Sequence, residues 1–195
     1  MLTVVTSAAS EDLATLAVVK AALGITDTSE DVALALHITR ASAAIATACN
    51  RVLVSELVEE SLRSNGGASF MLERYPVCSI TSVSEAGAAL TGDDYEVDAD
   101  AGIITRLRSD KASGWASGRA VIRYRAGYSL AAMPPDLVQA TIVAVAQYRS
   151  AAARDPLLRS ESTGDVESLE WQIATGGLPG AVLDLIASHR KPAGC

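Results

Sequence analysis

Val121-Ile122-Arg123-Tyr124-Arg125-Ala126-Gly127-Tyr128 is followed, after a short link, by Pro134-Pro135-Asp136 and an Ala/Val-rich run that reaches about Ala153. Val121, Ile122 and Tyr124 are the β-branched and aromatic types that suit a pleated surface. Arg123 and Arg125 share a face with Val121, so that face is partly solvated. Gly127 takes positive φ cheaply, and the chain can turn there. Pro135 fits the first turn of a helix, where no amide donor is needed. Asp136 then sits at the positive end of the helix dipole. From Leu137 to Tyr148 only Gln139, Thr141 and Gln147 interrupt an apolar sequence. A helix apolar almost all round is buried on most sides. A membrane span needs about 20 apolar residues, more than this run supplies. The stretch therefore reads as the last strand of a β-rich insert, a glycine turn, and the central helix of a bundle.

On either side the pattern is consistent with an α+β chain. Ser10-Glu11-Asp12 predicts a helix start, with Leu13, Leu16, Val19 and Leu23 at helical spacing and Gly24 as the stop. Thr28-Ser29-Glu30-Asp31 predicts a second start. That helix carries two apolar stripes, one with Val32, Leu36, Ala43 and Ala44, the other with Leu34, Ile38, Ala41, Ile45 and Ala48. Asn50-Arg51 marks its exit. From Val52 to Tyr124 short strand-like runs alternate with turn signals. Asn65-Gly66-Gly67 predicts a hairpin, and Pro76 an edge or bend. A turn is expected near Glu85-Ala86-Gly87, and a loop from Ser109 to Gly118. Ser160–Asp165 predicts a flexible link, and Pro179 the start of a last helix with Val182, Leu183, Leu185 and Ile186 on its apolar face. The domain reading is residues 1–51 for the first bundle helices, 52–126 for the β insert, 127–155 for the central helix, and 156–195 for a C-terminal arm and helix.

Composition narrows the function. The 195 residues carry a net charge of −7, 49% hydrophobic residues and 4% aromatics. A core of Ala, Val, Leu and Ile follows. Phosphate binding needs clustered Lys and Arg, and here the arginines are scattered along the sequence, so no nucleic-acid partner is expected. Cys49, Cys78 and Cys195 are odd in number and widely spaced, which suggests neither a disulfide framework nor a metal knuckle. A reducing cytoplasm is the simplest setting. Met1-Leu2-Thr3-Val4-Val5 does not read as a signal peptide.

The order of segments carries a resemblance. Val18-Val19-Lys20-Ala21-Ala22-Leu23-Gly24-Ile25 precedes Ser29-Glu30-Asp31 and a helix with Arg40-Ala41-Ser42-Ala43-Ala44-Ile45. Then come Leu72-Glu73-Arg74-Tyr75-Pro76-Val77-Cys78-Ser79-Ile80-Thr81-Ser82-Val83, Asp94-Tyr95-Glu96-Val97-Asp98, Gly102-Ile103-Ile104, and Tyr124-Arg125-Ala126-Gly127-Tyr128 before Pro135-Asp136-Leu137. Over residues 10–150 this series resembles the head–tail connector (adaptor) family of long-tailed bacteriophages and gene transfer agents. The resemblance implies a structural virion protein of the neck, assembled in the bacterial cytoplasm. It also implies a ring, typically dodecameric, between the portal protein and the next neck component, a stopper or tail-completion protein. A C-terminal segment would dock on the portal. No catalysis, cofactor or membrane is implied.

The chemical alternatives are weaker. Asp93, Asp94, Asp98 and Asp100 suggest a calcium loop or a small metal-dependent hydrolase. An EF-hand loop begun at Asp98 would need an acid where Ser109 stands, and Asp and Gly serve turns for local reasons. His37 and His189 lack partners at ligand spacing. Gly114-Trp115-Ala116-Ser117-Gly118 is not a nucleophile elbow. Cys78, in a strand-like run, reads as buried and inert. Another neck component, a stopper or tail terminator, is the structural rival and would be mainly β. The candidate partner-binding side chains are Trp115, Trp171, Leu169, Ile173, Leu183 and Ile186. Trp115 admits two readings, a residue folded back on the insert or an anchor for a neighbouring subunit. Trp171 has little intrachain core to join and reads as an interface residue.

Overall fold

The computed structural model describes residues 1–152, 160–163, 167–170 and 178–191, and the two short stretches 160–163 and 167–170 by their backbone. Eleven strands are described: β1 (Leu2–Thr6), β2 (Glu56–Ser64), β3 (Ser69–Met71), β4 (Val77–Glu85), β5 (Ala88–Leu90), β6 (Tyr95–Asp98), β7 (Ile103–Arg108), β8 (Lys111–Ala112), β9 (Gly118–Ala126), β10 (Ser160–Thr163) and β11 (Glu167–Glu170). The helices are α1 (Leu16–Leu23), α2 (Asp31–Cys49), α3 (Pro135–Ala152) and α4 (Gly180–Leu185). Two units emerge. One joins Met1–Ser10 to Val52–Ser129; the other joins Glu11–Arg51 to the described residues from Leu130 onward.

The first unit is β. Strand order β1-β2-β9-β4-β5 makes one antiparallel sheet, and β3-β7-β6, with β8 beside β7, makes another. Val58, Val83, Ala120, Ile122, Tyr124 and Ala126 from the first sheet meet Leu72, Ile104 and Trp115 in one buried core. The strand that opened the sequence reading is thus the middle of the larger sheet. The N-terminal residues differ from expectation. Leu2–Thr6 adds to the β2 edge rather than leading the helices. The Asn65-Gly66-Gly67 turn also differs, because it is not a hairpin. β2 pairs with β9 along its whole length, from Glu56↔Ala126 to Ser64↔Gly118, and β1 lies along its other edge from Leu57 to Glu60. β3 crosses instead to pair with β7. The turn at Ala86-Gly87 is a true hairpin between β4 and β5. Both residues have positive φ, 49° and 86°, the geometry that matches strand twist in a two-residue loop. Gly127 is required where it stands. Its φ is 101°, and an added Cβ would lie 2.5 Å from the Val54 carbonyl oxygen.

The second unit is helical. α3 packs against α1, α2 and α4, so the Ala/Val-rich helix is central, and Leu137, Ala140, Thr141, Ala144, Val145 and Tyr148 are buried along it. α1 begins one turn later than Ser10-Glu11-Asp12 predicts. Thr15 is the cap, its Oγ1 accepting from Val18 N at 3.2 Å. Residues 12 and 13 are occupied otherwise: Leu13 N donates to Ser42 Oγ at 3.0 Å, and Thr39 Oγ1 donates to Asp12 at 2.9 Å. α1 stops at Gly24 and α2 at Asn50, both left-handed.

The C-terminal residues are not a detachable tail throughout. Leu178, Val182 and Ile186 are buried in the helical unit. Lys191 N donates to Cys49 O at 2.9 Å, and Arg190 Nε to Ala48 O at 3.1 Å. His189 Nε2 lies 2.8 Å from Asp136 Oδ2, at the N-terminus of α3. This hydrogen bond holds the Asp136 carboxyl below its ordinary value of 3.8. A carboxylate so lowered adds stability above its unfolded pKa and loses it as pH falls through the folded one. Asp136→Asn is therefore expected to speed amide exchange over residues 180–186 at neutral pH. In the unmodified protein the same loosening should appear only below about pH 4. Equal exchange in the two proteins at pH 7 would remove this clamp.

Ser160–Thr163, expected as a flexible link, is instead a strand. β10 and β11 form a two-stranded antiparallel sheet from Ser160↔Glu170 to Thr163↔Glu167.

Candidate docking surfaces

α2 shows why two apolar stripes were legible in one helix. Leu34, Ile38, Ala41, Ile45 and Cys49 face the bundle core. The other stripe faces solvent, with Val32 87% and Leu36 68% exposed. By length and composition alone α2 is apolar enough to cross a membrane, and much of that excess lies on the exposed face. Two large aliphatic side chains one turn apart and open to water mark an interaction surface more often than isolated apolar residues do. At the other side of α2, Glu30 receives Arg149 Nε at 2.7 Å and Nη2 at 2.9 Å. This pair walls an open groove of about 570 Å³ that Leu34, His37 and Ala146 also line. His37 is half-buried, its ring 6.1 Å from that of Tyr148.

The β unit presents a second surface. Alternate residues of β9 point to opposite sides. Ala120, Ile122, Tyr124 and Ala126 fill the core, which leaves Arg119, Val121, Arg123 and Arg125 on the outer face. Arg63 of β2 stands opposite Arg119, and Glu59 opposite Arg123. On the β4 side the opposing residues are Ser79, Ser82 and Ser84. Arginines that looked scattered in sequence are therefore gathered in space. The signal was the period-2 spacing of Arg119, Arg123 and Arg125; Arg63 joins them only through strand pairing.

Several other charged groups of the β unit have structural work. Arg106 is buried, with Nε 3.3 Å from Glu85 Oε2 and Nη1 2.6 Å from the carbonyls of Asp94 and Leu107. Glu85 also accepts the amide of Ala116. Tyr124 donates to buried Glu60 at 2.7 Å, and Glu60 accepts Glu73 N as well. Burial first, then the Glu60 carboxylate, push the Tyr124 hydroxyl well above its ordinary value of 10.0. Asp94 and Asp98, which suggested metal chemistry, serve the backbone. Asp94 forms a capping box with Thr91, whose hydrogen bonds lower its pKa. Asp98 accepts Ala101 N at 3.0 Å. Among the described residues no group of three or more His, Cys, Asp or Glu is arranged to hold a metal ion.

The sequence-chosen anchors separate clearly. Trp115 is 1% exposed and stacks on Phe70 with ring centroids 5.1 Å apart. It is a core residue of the β unit, because the loop folds inward to close the space between the two sheets. Its ring is unavailable to a neighbour. Ile186 is likewise withdrawn, buried where α4 packs on α3. Leu183 is half-buried, and Leu169 lies on β11 opposite Glu161. Trp171 and Ile173 lie outside the described residues. Cys78 is exposed rather than buried, its Sγ donating to Gly127 O at 2.9 Å.

Comparison with known proteins gives the family. The model of the head completion protein family matches residues 12–192, nearly the whole chain. The chain belongs to the head completion protein family. Its function is structural, at the junction of head and tail. The head completion fold also matches solved particle components. A chain in the neck of an empty gene transfer agent particle, computed with C6 symmetry, is 24% identical with a TM-score of 0.62. One in the neck of the native particle, computed with C12 symmetry, is 23% identical with a TM-score of 0.61. Each alignment covers 100% of this chain and 98% of the other. A chain from the native virion matches equally, at 23% and 0.61. Among curated proteins no relative matches.

Proposed function

We propose that the chain is a head–tail connector that forms a closed ring in the virion neck, between the portal and a stopper or tail-completion protein. Twelve copies is the number the comparison with C12-symmetric necks favours. Family membership across residues 12–192 carries this reading. The exposed Val32–Leu36 stripe supplies a surface for the neighbouring copy. Closed rings repeat one heterologous contact, so a modest interface per copy suffices when it is repeated around the circle. The part that docks on the portal lies between α3 and Leu178, with Trp171 and Ile173 as its candidate anchors and Leu169 and half-buried Leu183 to either side.

Quantitative mass spectrometry of purified tailed particles tests the placement. The chain is expected at portal stoichiometry, far below the major capsid protein. Its absence from intact tailed particles would reject the connector. Val32→Ser with Leu36→Asp tests the ring surface. Both positions are exposed, so unfolding should shift by no more than about 1 kcal/mol for the pair, while incorporation into particles collapses. Wild-type incorporation of the double variant would remove α2 from the interface.

A further inference from the structure

We infer that the arginine face of the five-stranded sheet receives the acidic β10–β11 hairpin of a second copy. The inference deepens the connector reading and rests on it, by giving part of the segment between α3 and α4 a seat within the ring.

The face is built for an acidic partner. Arg63, Arg119 and Arg125 are exposed, and Arg123 is half-buried with its Nε buried and without a hydrogen-bond partner. None of the four forms an ion pair among the described residues. Along β9 the arginines at 123 and 125 recur at about 6.6 Å, the repeat of one strand face. Serines 61, 79, 82 and 84 flank them and leave the guanidinium groups room for bidentate contacts to carboxylates. Unpaired arginines gathered on one face are conspicuous in a chain whose net charge is −7.

The hairpin is the complementary element. Residues 160–170 hold Glu161, Asp165, Glu167 and Glu170 and no Lys or Arg. The register places Glu161, Thr163, Glu167 and Leu169 on one face, with Glu161 opposite Leu169 and Thr163 opposite Glu167. Glu161 and Glu167 are diagonal neighbours across the two strands, about 7–8 Å apart by strand geometry, which is close to the spacing of Arg123 and Arg125. Among the described residues β10 and β11 pair only with each other, and a lone two-stranded hairpin is marginal in water. Packing on a sheet would relieve that.

Reach permits it. Seven residues, 153–159, join α3 to β10, and seven more, 171–177, lead to Leu178. Fully extended, each connection spans at most about 28 Å. α3 and Leu178 both belong to the helical unit, so the hairpin is tethered at both ends. A duplex nucleic acid is the less favoured occupant. Four arginines on one sheet face are a small footprint beside the run of phosphate contacts that duplex binding needs.

Charge reversal in the full-length chain, read as the yield of tailed particles, is the test. Arg123→Glu with Arg125→Glu should lower the yield about tenfold or more, and so should Glu161→Lys with Glu167→Lys. All four changes in one chain should restore most of it. Co-expressing the two defective double variants should also restore yield, because an alternating ring then pairs each reversed arm with a reversed face. Rescue in one chain without rescue by co-expression would place the contact within a single copy and overturn the inference. So would loss in both variants with no rescue, or wild-type yield from either. Binding of a fluorescent DNA duplex that the arginine reversals abolish and the glutamate reversals spare would make nucleic acid the occupant. A gene deletion that leaves joining intact would instead refute the connector reading itself, a separate outcome.

Discussion

Trp115→Ala is expected to destabilise the β unit by about 3–5 kcal/mol, the range for removing a large aromatic from a packed core. The ring is closed off from water, lies against Phe70, and shares its core with Leu72, Ile104 and Ile122. The backbone around it is pinned as well. Trp115 N donates to Gly67 O at 2.9 Å, and Ser64 Oγ donates to Trp115 O at 3.1 Å. Gly114 passes so close to the turn that an added Cβ would lie 2.4 Å from Gly66 O. The loop therefore cannot settle into the vacated space, and the cavity remains. Trp115→Phe retains much of the contact and should cost less. Its Nε1 is buried without a hydrogen-bond partner, so losing that N–H carries no penalty. Urea unfolding followed by circular dichroism measures the difference. A cost below about 1 kcal/mol for the alanine variant would show that the ring does not support the core.

Arg106→Leu should cost about as much, 3–5 kcal/mol, because breaking a buried ion pair strands the other charge. Glu85 is the group left behind, buried and still facing the vacated site. Asp94 and two carbonyls lose their donor at the same time. Arg106→Leu combined with Glu85→Leu removes both charges and should recover a large part of the loss, less the Ala116 amide that Glu85 now satisfies. The double-mutant cycle separates the pair from its surroundings. If the double variant is as unstable as the single one, the stranded carboxylate is not the cause.

These two clusters also explain where sequence reading fell short. Trp115 stands in a polar loop, and local composition left open whether its ring folds back on the insert or faces a neighbour. Arg106 alternates with apolar residues on β7 and looks like any inward strand position. Its partners lie 21 and 12 positions away in sequence, and pairing across such distances leaves no periodic trace. Asp94 and Asp98 invited a metal reading for the reason that turns and metal loops use the same residues.

The elements with local causes were legible. Gly24 and Asn50 end helices because they adopt left-handed backbone, and Pro135 starts α3 because its missing donor costs nothing there. The all-round apolar composition of α3 required burial on most sides, and the structure places it among three other helices. The two stripes of α2 were visible as a pattern, since helical spacing is a property of sequence. Which stripe the bundle would bury was not visible, because either could face the core. Tertiary packing chose Leu34, Ile38 and Ile45 and left Val32 and Leu36 to water. Strand pairing did the same for charge, gathering Arg63 beside Arg119 across 56 positions of sequence. Residue type and spacing act over a few positions, so sequence alone determined the helices, the strand-rich insert and their order. Sheet order and helix packing act over the whole chain, so only the tertiary structure decided which residues are core and which remain exposed.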